Sequence, residues 1–162
     1  EKKSCLFPVI IISWIIASLE TKSNGMFIQE RVGQDAVIFK LYKIKTMIDL
    51  DNLTDTNRIT RFGCFFRTYK IDELPQLMNV IIGDMSIVGP RPDISGYADM
   101  LTGSDRQILS VRPGITGPAQ LKYKNEEFLL NSHSNPVEYN DFIIWPNKIK
   151  LMKLPRLTWR FL

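Results

Sequence analysis

The sequence predicts an α+β fold: a small, mostly helical domain with a short β-hairpin, behind an N-terminal apolar helix. Three observations carry this reading. An uncharged 15-residue run, Cys5–Leu19 (CLFPVIIISWIIASL), lies near the start of the chain. Two β-prone runs, Met26–Gln29 and Ala36–Ile44, flank a Gly33-Gln34-Asp35 turn. An amphipathic helical pattern covers Asp72–Ile82.

The apolar run is bounded by Lys2-Lys3 and by Glu20 and Lys22. As a helix it would reach roughly 22 Å, short of a hydrocarbon core of ~30 Å. A cleaved signal peptide, a buried core helix and a membrane-embedded segment that enters without crossing all fit these features. Pro8 favours the third, because proline kinks or ends a helix. Trp14 suits a headgroup level.

Lys22–Gly25 (KSNG) reads as a turn leading into the hairpin. Asp49–Asn57 (DLDNLTDTN) is polar, either a solvated linker or an Asp-rich metal loop. In the helix over Asp72–Ile82, Leu74, Leu77, Met78 and Ile81 fall at i, i+3, i+4 and i+7 and form one apolar face. Asp72 is a good N-cap, Pro75 falls in the first turn, and Gly83 ends the helix. Ser86–Val88 is a short strand. Gly89-Pro90-Arg91-Pro92 is a rigid loop, since proline also restricts the residue before it. Helices are predicted over Ile94–Leu101 and Ser104–Val111, and a second rigid loop over Arg112–Pro118. Beyond about Glu126 the pattern weakens.

The totals narrow the chemistry. The chain of 162 residues, 44% hydrophobic and 23% charged, suits one folded domain. Its net charge of +4 points to an anionic partner. Two cysteines without CxxC spacing fit a reducing compartment, with Cys64 read as a packing residue. One histidine, His133, in a polar stretch, argues against a zinc site or a His-based triad and reads as a surface residue. Acid–base or nucleophilic work must then fall to carboxylates, hydroxyls or lysines.

Asp72 and Glu73 are adjacent at a predicted helix start. A helix N-terminus favours ionised carboxylates and attracts phosphate. An ionised aspartate can attack phosphorus covalently. A second carboxylate beside it can hold Mg²⁺, which shares substrate phosphates. The bland reading of the same pair is a cap followed by an acidic first turn. Arg67, Arg91 and Arg112 favour the phosphate reading. Arg91 is clamped between two prolines and Arg112 precedes Pro113-Gly114, so both bidentate donors would be pre-organised. Solvated or acid-paired arginines are the alternative.

Six ordered blocks then resemble one family: Gln29–Gly33 (QERVG), Phe39–Met47 (FKLYKIKTM), Arg58–Gly63 (RITRFG), Asp72–Leu77 (DELPQL), Gly83–Pro92 (GDMSIVGPRP) and Arg112–Gly117 (RPGITG). Together they resemble the bacterial sugar transferases, the monotopic polyprenyl-phosphate phosphoglycosyl transferases. The resemblance runs from about Pro8 to Gln120. It implies a re-entrant membrane helix over residues 1–20, broken at Pro8 and lacking most of its first half here. A cytosolic catalytic domain would occupy residues 21–162.

The resemblance further implies a UDP-sugar:polyprenyl-phosphate sugar-1-phosphate transferase at the cytoplasmic face of the bacterial inner membrane. Asp72 would attack the β-phosphate of a UDP-sugar, release UMP and hold a phospho-sugar. Polyprenyl phosphate, usually undecaprenyl phosphate, would then accept it, opening the assembly of a glycan such as an exopolysaccharide, O-antigen, capsule or glycoprotein. Glu73 would hold Mg²⁺, with Asp72 a second candidate ligand. Arg67, Arg91, Arg112, Lys43, Lys45 and Gln76 would bind the substrate phosphates. Partners are the UDP-sugar, polyprenyl phosphate and membrane lipid, not nucleic acid, whose binders interleave basic residues with exposed aromatics. The sugar, the pathway and the oligomeric state, a homodimer included, stay open.

Some positions depart from the family pattern. Lys45 replaces an arginine, keeping charge but losing the planar fork. Ala36 replaces a turn glycine, and Pro118 stands at a variable position. The tail from Leu151 (LMKLPRLTWRFL) lacks the usual tyrosine-containing and Asp-Leu-Lys-like ending. This tail and the short N-terminus motivate the alternative, an inactive or truncated paralogue serving as a membrane-bound scaffold.

Overall fold

The computed structural model describes residues 6–49 and 55–153. The fold is α+β, as the sequence predicts. The elements divide into two compact units, Glu1–Glu30 with Lys40–Ile82, and Arg31–Phe39 with Gly83–Leu162.

In the first unit α1 (Leu6–Thr21) is a 16-residue helix. Pro8 falls in its first described turn, where a missing N–H costs least. The break expected at Pro8 is not seen over Leu6–Thr21, which is helical through Pro8; the chain before Leu6, Cys5 included, lies outside the described residues. Among the described residues no helix is long and apolar enough to cross a membrane. The burial of α1 is inverted relative to a core helix. Ser13, Ala17 and Thr21 are buried, while Phe7, Ile11, Ile12, Trp14, Ile15 and Leu19 are exposed. The buried side therefore carries small or polar residues four apart, one stripe of the helix.

Strands β1 (Met26–Val32) and β2 (Ile38–Ile44) form the expected hairpin, each somewhat different in extent from the predicted run. The base of the hairpin belongs to the first unit and its tip to the second. In the tip turn Asp35 and Ala36 both take positive φ, 54° and 64°. This is the geometry for which a turn glycine is favoured, and Ala36 adopts it with a Cβ.

Four elements follow in the first unit. The short α2 (Asp55–Arg58) comes after the polar run, of which residues 50–54 lie outside the described residues. Chain on either side of that run pairs, through Ile48 N–H to Arg58 O at 3.0 Å and Thr60 N–H to Thr46 O at 3.0 Å. Thr60 then caps α3 (Arg61–Thr68), its hydroxyl accepting from Gly63 N–H at 2.9 Å. α3 buries Gly63 and Phe66 and leaves Phe62, Phe65 and Tyr69 outside. Cys64 is exposed rather than packed, because α3 turns its Gly63–Phe66 side inward.

The predicted Asp72–Ile82 helix is a 3₁₀ turn over Ile71–Glu73 followed by α4 (Gln76–Ile82). Asp72 is therefore not an N-cap. The 3₁₀ turn is entered from Lys70, at φ 58°. The predicted apolar face is only partly covered, with Leu74 and Leu77 half-buried. Asp72, Gln76 and Asn79 are buried, while Met78, Ile81 and Ile82 are exposed. Of these inward groups, Asn79 finds backbone partners on strand β2, described below. A small cluster of Ala17, Ile44 and Phe66, with Ile16 and Ile71 against it, joins α1, β2, α3 and the 3₁₀ turn.

In the second unit β3 (Ser86–Val88) pairs in parallel with β4 (Gly114–Thr116). The second rigid loop thus contains a strand that its prolines and glycines concealed. The helices expected over Ile94–Leu101 and Ser104–Val111 are 3₁₀ segments at Ala98–Met100 and Gly103–Ser110. Gly96 and Gly103, at φ 100° and 56°, interrupt the α-helical path before each. Beyond them come α5 (Pro118–Lys122), α6 (Glu126–Asn131), α7 (Pro136–Tyr139), a π turn over Asn140–Ile144 and α8 (Trp145–Met152). The tail past Lys153 lies outside the described residues. Val32, Ala98, Ile108, Leu109, Ala119, Ile149 and Met152 make the core of this unit.

Candidate active site

The first unit gathers charge around Asp72. The 3₁₀ turn buries this residue to 8% exposure, and its Oδ1 is buried without a hydrogen-bond partner. Burial pushes its carboxyl above the ordinary range, and the adjacent Glu73 pushes it further. Lys43, then Lys70 and Arg67, pull it back. The sequence argument that a helix start would keep this acid ionised is replaced by this balance between desolvation and three cations.

Lys43 and Arg67 thus stand near Asp72. The guanidinium of Arg67 is held from behind: Nε donates to Thr46 Oγ1 at 3.0 Å and Nη2 contacts Met47 Sδ at 3.0 Å. Gln76 is buried one helical turn along from Asp72 on the same side. Lys45 is placed differently. Its Nζ donates to Ser23 Oγ at 2.8 Å and pairs with Asp49, with the side chain 13% exposed. Lys45 therefore ties the end of β2 to the turn after α1.

Lys70 was not singled out from the sequence. It ion-pairs with Glu73 at 3.7 Å, and the signal available was their i, i+3 spacing. Asn79 was missed as well. It is fully buried, donating from Nδ2 to Lys40 O at 2.7 Å and accepting from Tyr42 N–H at 3.2 Å.

Arg91 and Arg112 belong to the second unit, each on a loop joined to the β3–β4 pair. Ser86 N–H donates to Pro113 O at 2.8 Å, Gly89 N–H to Thr116 O at 2.9 Å and Gly114 N–H to Pro90 O at 2.8 Å. The two backbones approach so closely that a Cβ on Gly114 would lie 2.0 Å from Gly89 N. Only glycine fits there, so the two arginine-bearing loops are braced together. Pro90 and Pro92 are buried and Arg91 is exposed between them. Arg91 and Asp93 also line a small pocket whose apolar walls include Val32, Ile108, Val111 and Trp145.

His133 is a surface residue, as expected, stacked on Tyr139 at 3.6 Å between ring centroids. Gln120, beside Gly117, has both amide atoms buried without partners. No composition or spacing cue had marked it.

Two adjacent carboxylates supply oxygen donors, the ligand type that a divalent ion of the Mg²⁺ kind takes. Asp72 Oδ1 is an orphaned buried acceptor, and the Glu73 side chain beside it is only 12% exposed. Among the described residues no group of three or more His, Cys, Asp and Glu is assembled for a metal. Mg²⁺ characteristically binds through one or two carboxylates, with water and substrate phosphates filling the rest of its shell.

The model for the bacterial sugar transferase family matches residues 3–148, and the chain belongs to that family. It is 39% identical over 126 residues to the Uncharacterized sugar transferase EpsL of Bacillus subtilis, covering 75% of this chain and 62% of that protein. It is 34% identical over 125 residues to a UDP-glucose:undecaprenyl-phosphate glucose-1-phosphate transferase of Caulobacter vibrioides, covering 71% and 47%. It is 36% identical over 127 residues to a UDP-N-acetylgalactosamine-undecaprenyl-phosphate N-acetylgalactosaminephosphotransferase of Aeromonas hydrophila, covering 70% and 29%. The chain spans less than two thirds of the length of each. The sugars in these names differ, so family membership does not fix the sugar.

Proposed function

We propose that this chain transfers a phospho-sugar from a UDP-sugar to a polyprenyl phosphate, undecaprenyl phosphate by the names of its relatives. The observation that carries this is the buried, unpartnered Oδ1 of Asp72 among Lys43, Lys70 and Arg67. A carboxylate oxygen held without a partner is a poised nucleophile, and nearby cations relieve its repulsion from a diphosphate.

In the first half-reaction an Asp72 oxygen bonds to the β-phosphorus of the UDP-sugar. The bond from that phosphorus to the oxygen bridging the α-phosphate breaks, and UMP leaves. In the second, a phosphate oxygen of the lipid attacks the same phosphorus. The Asp72 carboxylate is regenerated and a polyprenyl diphosphate sugar departs, the first membrane step of glycan assembly. Arg67 and Lys43 offset negative charge at the acid; within the second unit, Arg91 and Arg112 present exposed guanidiniums of the kind that bind phosphate. Glu73, with Asp72, would hold Mg²⁺, which neutralises phosphate charge when bound.

The outer surface of the first unit supports work at a membrane. α1 turns its apolar side chains outward, as do Phe62, Phe65 and Tyr69 on α3 and Met78, Ile81 and Ile82 on α4. Such apolar surface calls for an apolar medium. We assign α1, about 24 Å long over its described residues, to one leaflet, the cytoplasmic one of the inner membrane, as the family resemblance implies.

The test is release of UMP from a panel of UDP-sugars with a short polyprenyl phosphate and Mg²⁺, in detergent. A phospho-sugar adduct on the Asp72 peptide should be trapped when the lipid is omitted. Asp72→Asn should abolish adduct and release together. UMP release retained by Asp72→Asn would sink the assignment. Wild-type protein that releases no UMP from any UDP-sugar would favour a scaffold role.

A further inference from the structure

Arg31 lies near the end of β1, within the second unit, and its side chain is 15% exposed. From there it reaches the loop that carries Arg91. Nη1 donates to Pro92 O at 3.4 Å and lies 4.0 Å from Asp93 Oδ1. The next residue, Val32, donates its N–H to Asp93 O at 2.8 Å. The strand end therefore grips the two residues that follow Arg91. On the other side, Pro90 O accepts from Gly114 N–H at 2.8 Å. Arg91 is left as one exposed residue between neighbours held from both directions.

We propose that Arg31 is a positioning residue for Arg91, its guanidinium fixing the Pro92 carbonyl and so setting where Arg91 meets a substrate phosphate. The proposal rests on the reading of Arg91 as a phosphate ligand. The choice of residue supports a functional role. Burial and then the Arg91 charge pull the Arg31 guanidinium below its ordinary range, and Asp93 only partly offsets them. A buried cation beside a second cation is a poor device for stability alone. One nitrogen, Nη1, faces both Pro92 O and Asp93 Oδ1, and the rigid guanidinium plane holds it there better than a freely rotating lysine ammonium would.

The experiment is a double-mutant cycle on binding of UDP to the full chain in detergent, by calorimetry. Arg91→Ala should weaken UDP about tenfold, and Arg31→Met by a similar factor. The double variant should bind about as weakly as Arg91→Ala alone, because Arg31 acts through Arg91. Arg31→Lys should fall between wild type and Arg31→Met. Wild-type affinity in folded Arg31→Met overturns the proposal, as does full additivity in the double variant. If Arg31→Met does not fold, Arg31→Lys decides, and wild-type affinity there overturns it equally. Unchanged affinity in Arg91→Ala removes the underlying reading of Arg91, and the proposal falls with it. Loss in Arg91→Ala with none in Arg31→Lys or Arg31→Met removes the Arg31 role alone.

Discussion

Asn79 stands in for a strand beside β2: its amide donates to the Lys40 carbonyl at 2.7 Å, and its Oδ1 accepts from Tyr42 N–H at 3.2 Å. One fully buried side chain thus fastens α4 to the strand that carries Lys43. Asn79→Leu leaves the Lys40 carbonyl and the Tyr42 N–H without these part-buried hydrogen bonds. It should lower stability by about 2 kcal/mol or more. Asn79→Asp keeps the acceptor but sets a carboxylate against the Lys40 carbonyl, and should be no better. Denaturant unfolding in detergent checks both. Wild-type midpoints would show that the amide is not fastening the helix.

Asp72 sets a pH dependence of stability. Its carboxyl is raised by burial and by Glu73, so the folded state holds this proton more tightly than the unfolded state. Between the unfolded and folded values, stability therefore falls as pH rises, and the loss is complete above the folded value. Asp72→Asn removes that loss. In the presence of a chelator it should raise the melting temperature at neutral pH. The gain should shrink as pH falls below the ordinary aspartate range. A gain that is constant with pH would contradict the stated cause.

Ala36 takes φ 64° in the hairpin turn with a side chain that disfavours it. Ala36→Gly should stabilise the protein by about 0.5–1 kcal/mol, the relief exceeding the entropy cost of glycine. Ala36→Val should destabilise it. Thermal melts of the two variants should move in opposite directions.

The inward stripe of α1 leaves no room at Ala17, which is 1% exposed within a cluster with Ile44 and Phe66. Ala17→Leu should cost about 1–3 kcal/mol by overpacking. Ile12→Leu, at a position 56% exposed, should cost almost nothing in the same unfolding assay. Equal effects would mean that α1 does not dock by this stripe.

The sequence reading succeeded where a local pattern had only one physical solution. Alternating β-prone runs around Gly33 could hardly be other than a hairpin, and Ser86–Val88 between glycines could hardly be a helix. It failed where the inward groups were polar. The spacing of Leu74, Leu77, Met78 and Ile81 was real, but a periodic pattern does not say which medium lies outside. The buried side here carries Asp72, Gln76 and Asn79 instead. The 3₁₀ segments near Ala98 and Gly103 differ from α-helix by a fraction of a residue per turn, which short windows do not resolve. In the site, Asp72, Arg67 and Lys43 were legible as charges. The engagement of Lys45 by Asp49 and Ser23 was not, because it depends on where the chain returns after the hairpin.

The tip of the hairpin packs into the core of the second unit, and this orders events on the ribosome. Val32 shares a cluster with Ile149 and Met152, residues synthesised more than a hundred positions later. Neither unit corresponds to one uninterrupted stretch of the gene. No single cut in the coding sequence can release either half intact. The apolar α1 is the first described element to emerge, long before the partners of Val32 exist. Its outward side chains are therefore made while the core of the second unit is still unwritten.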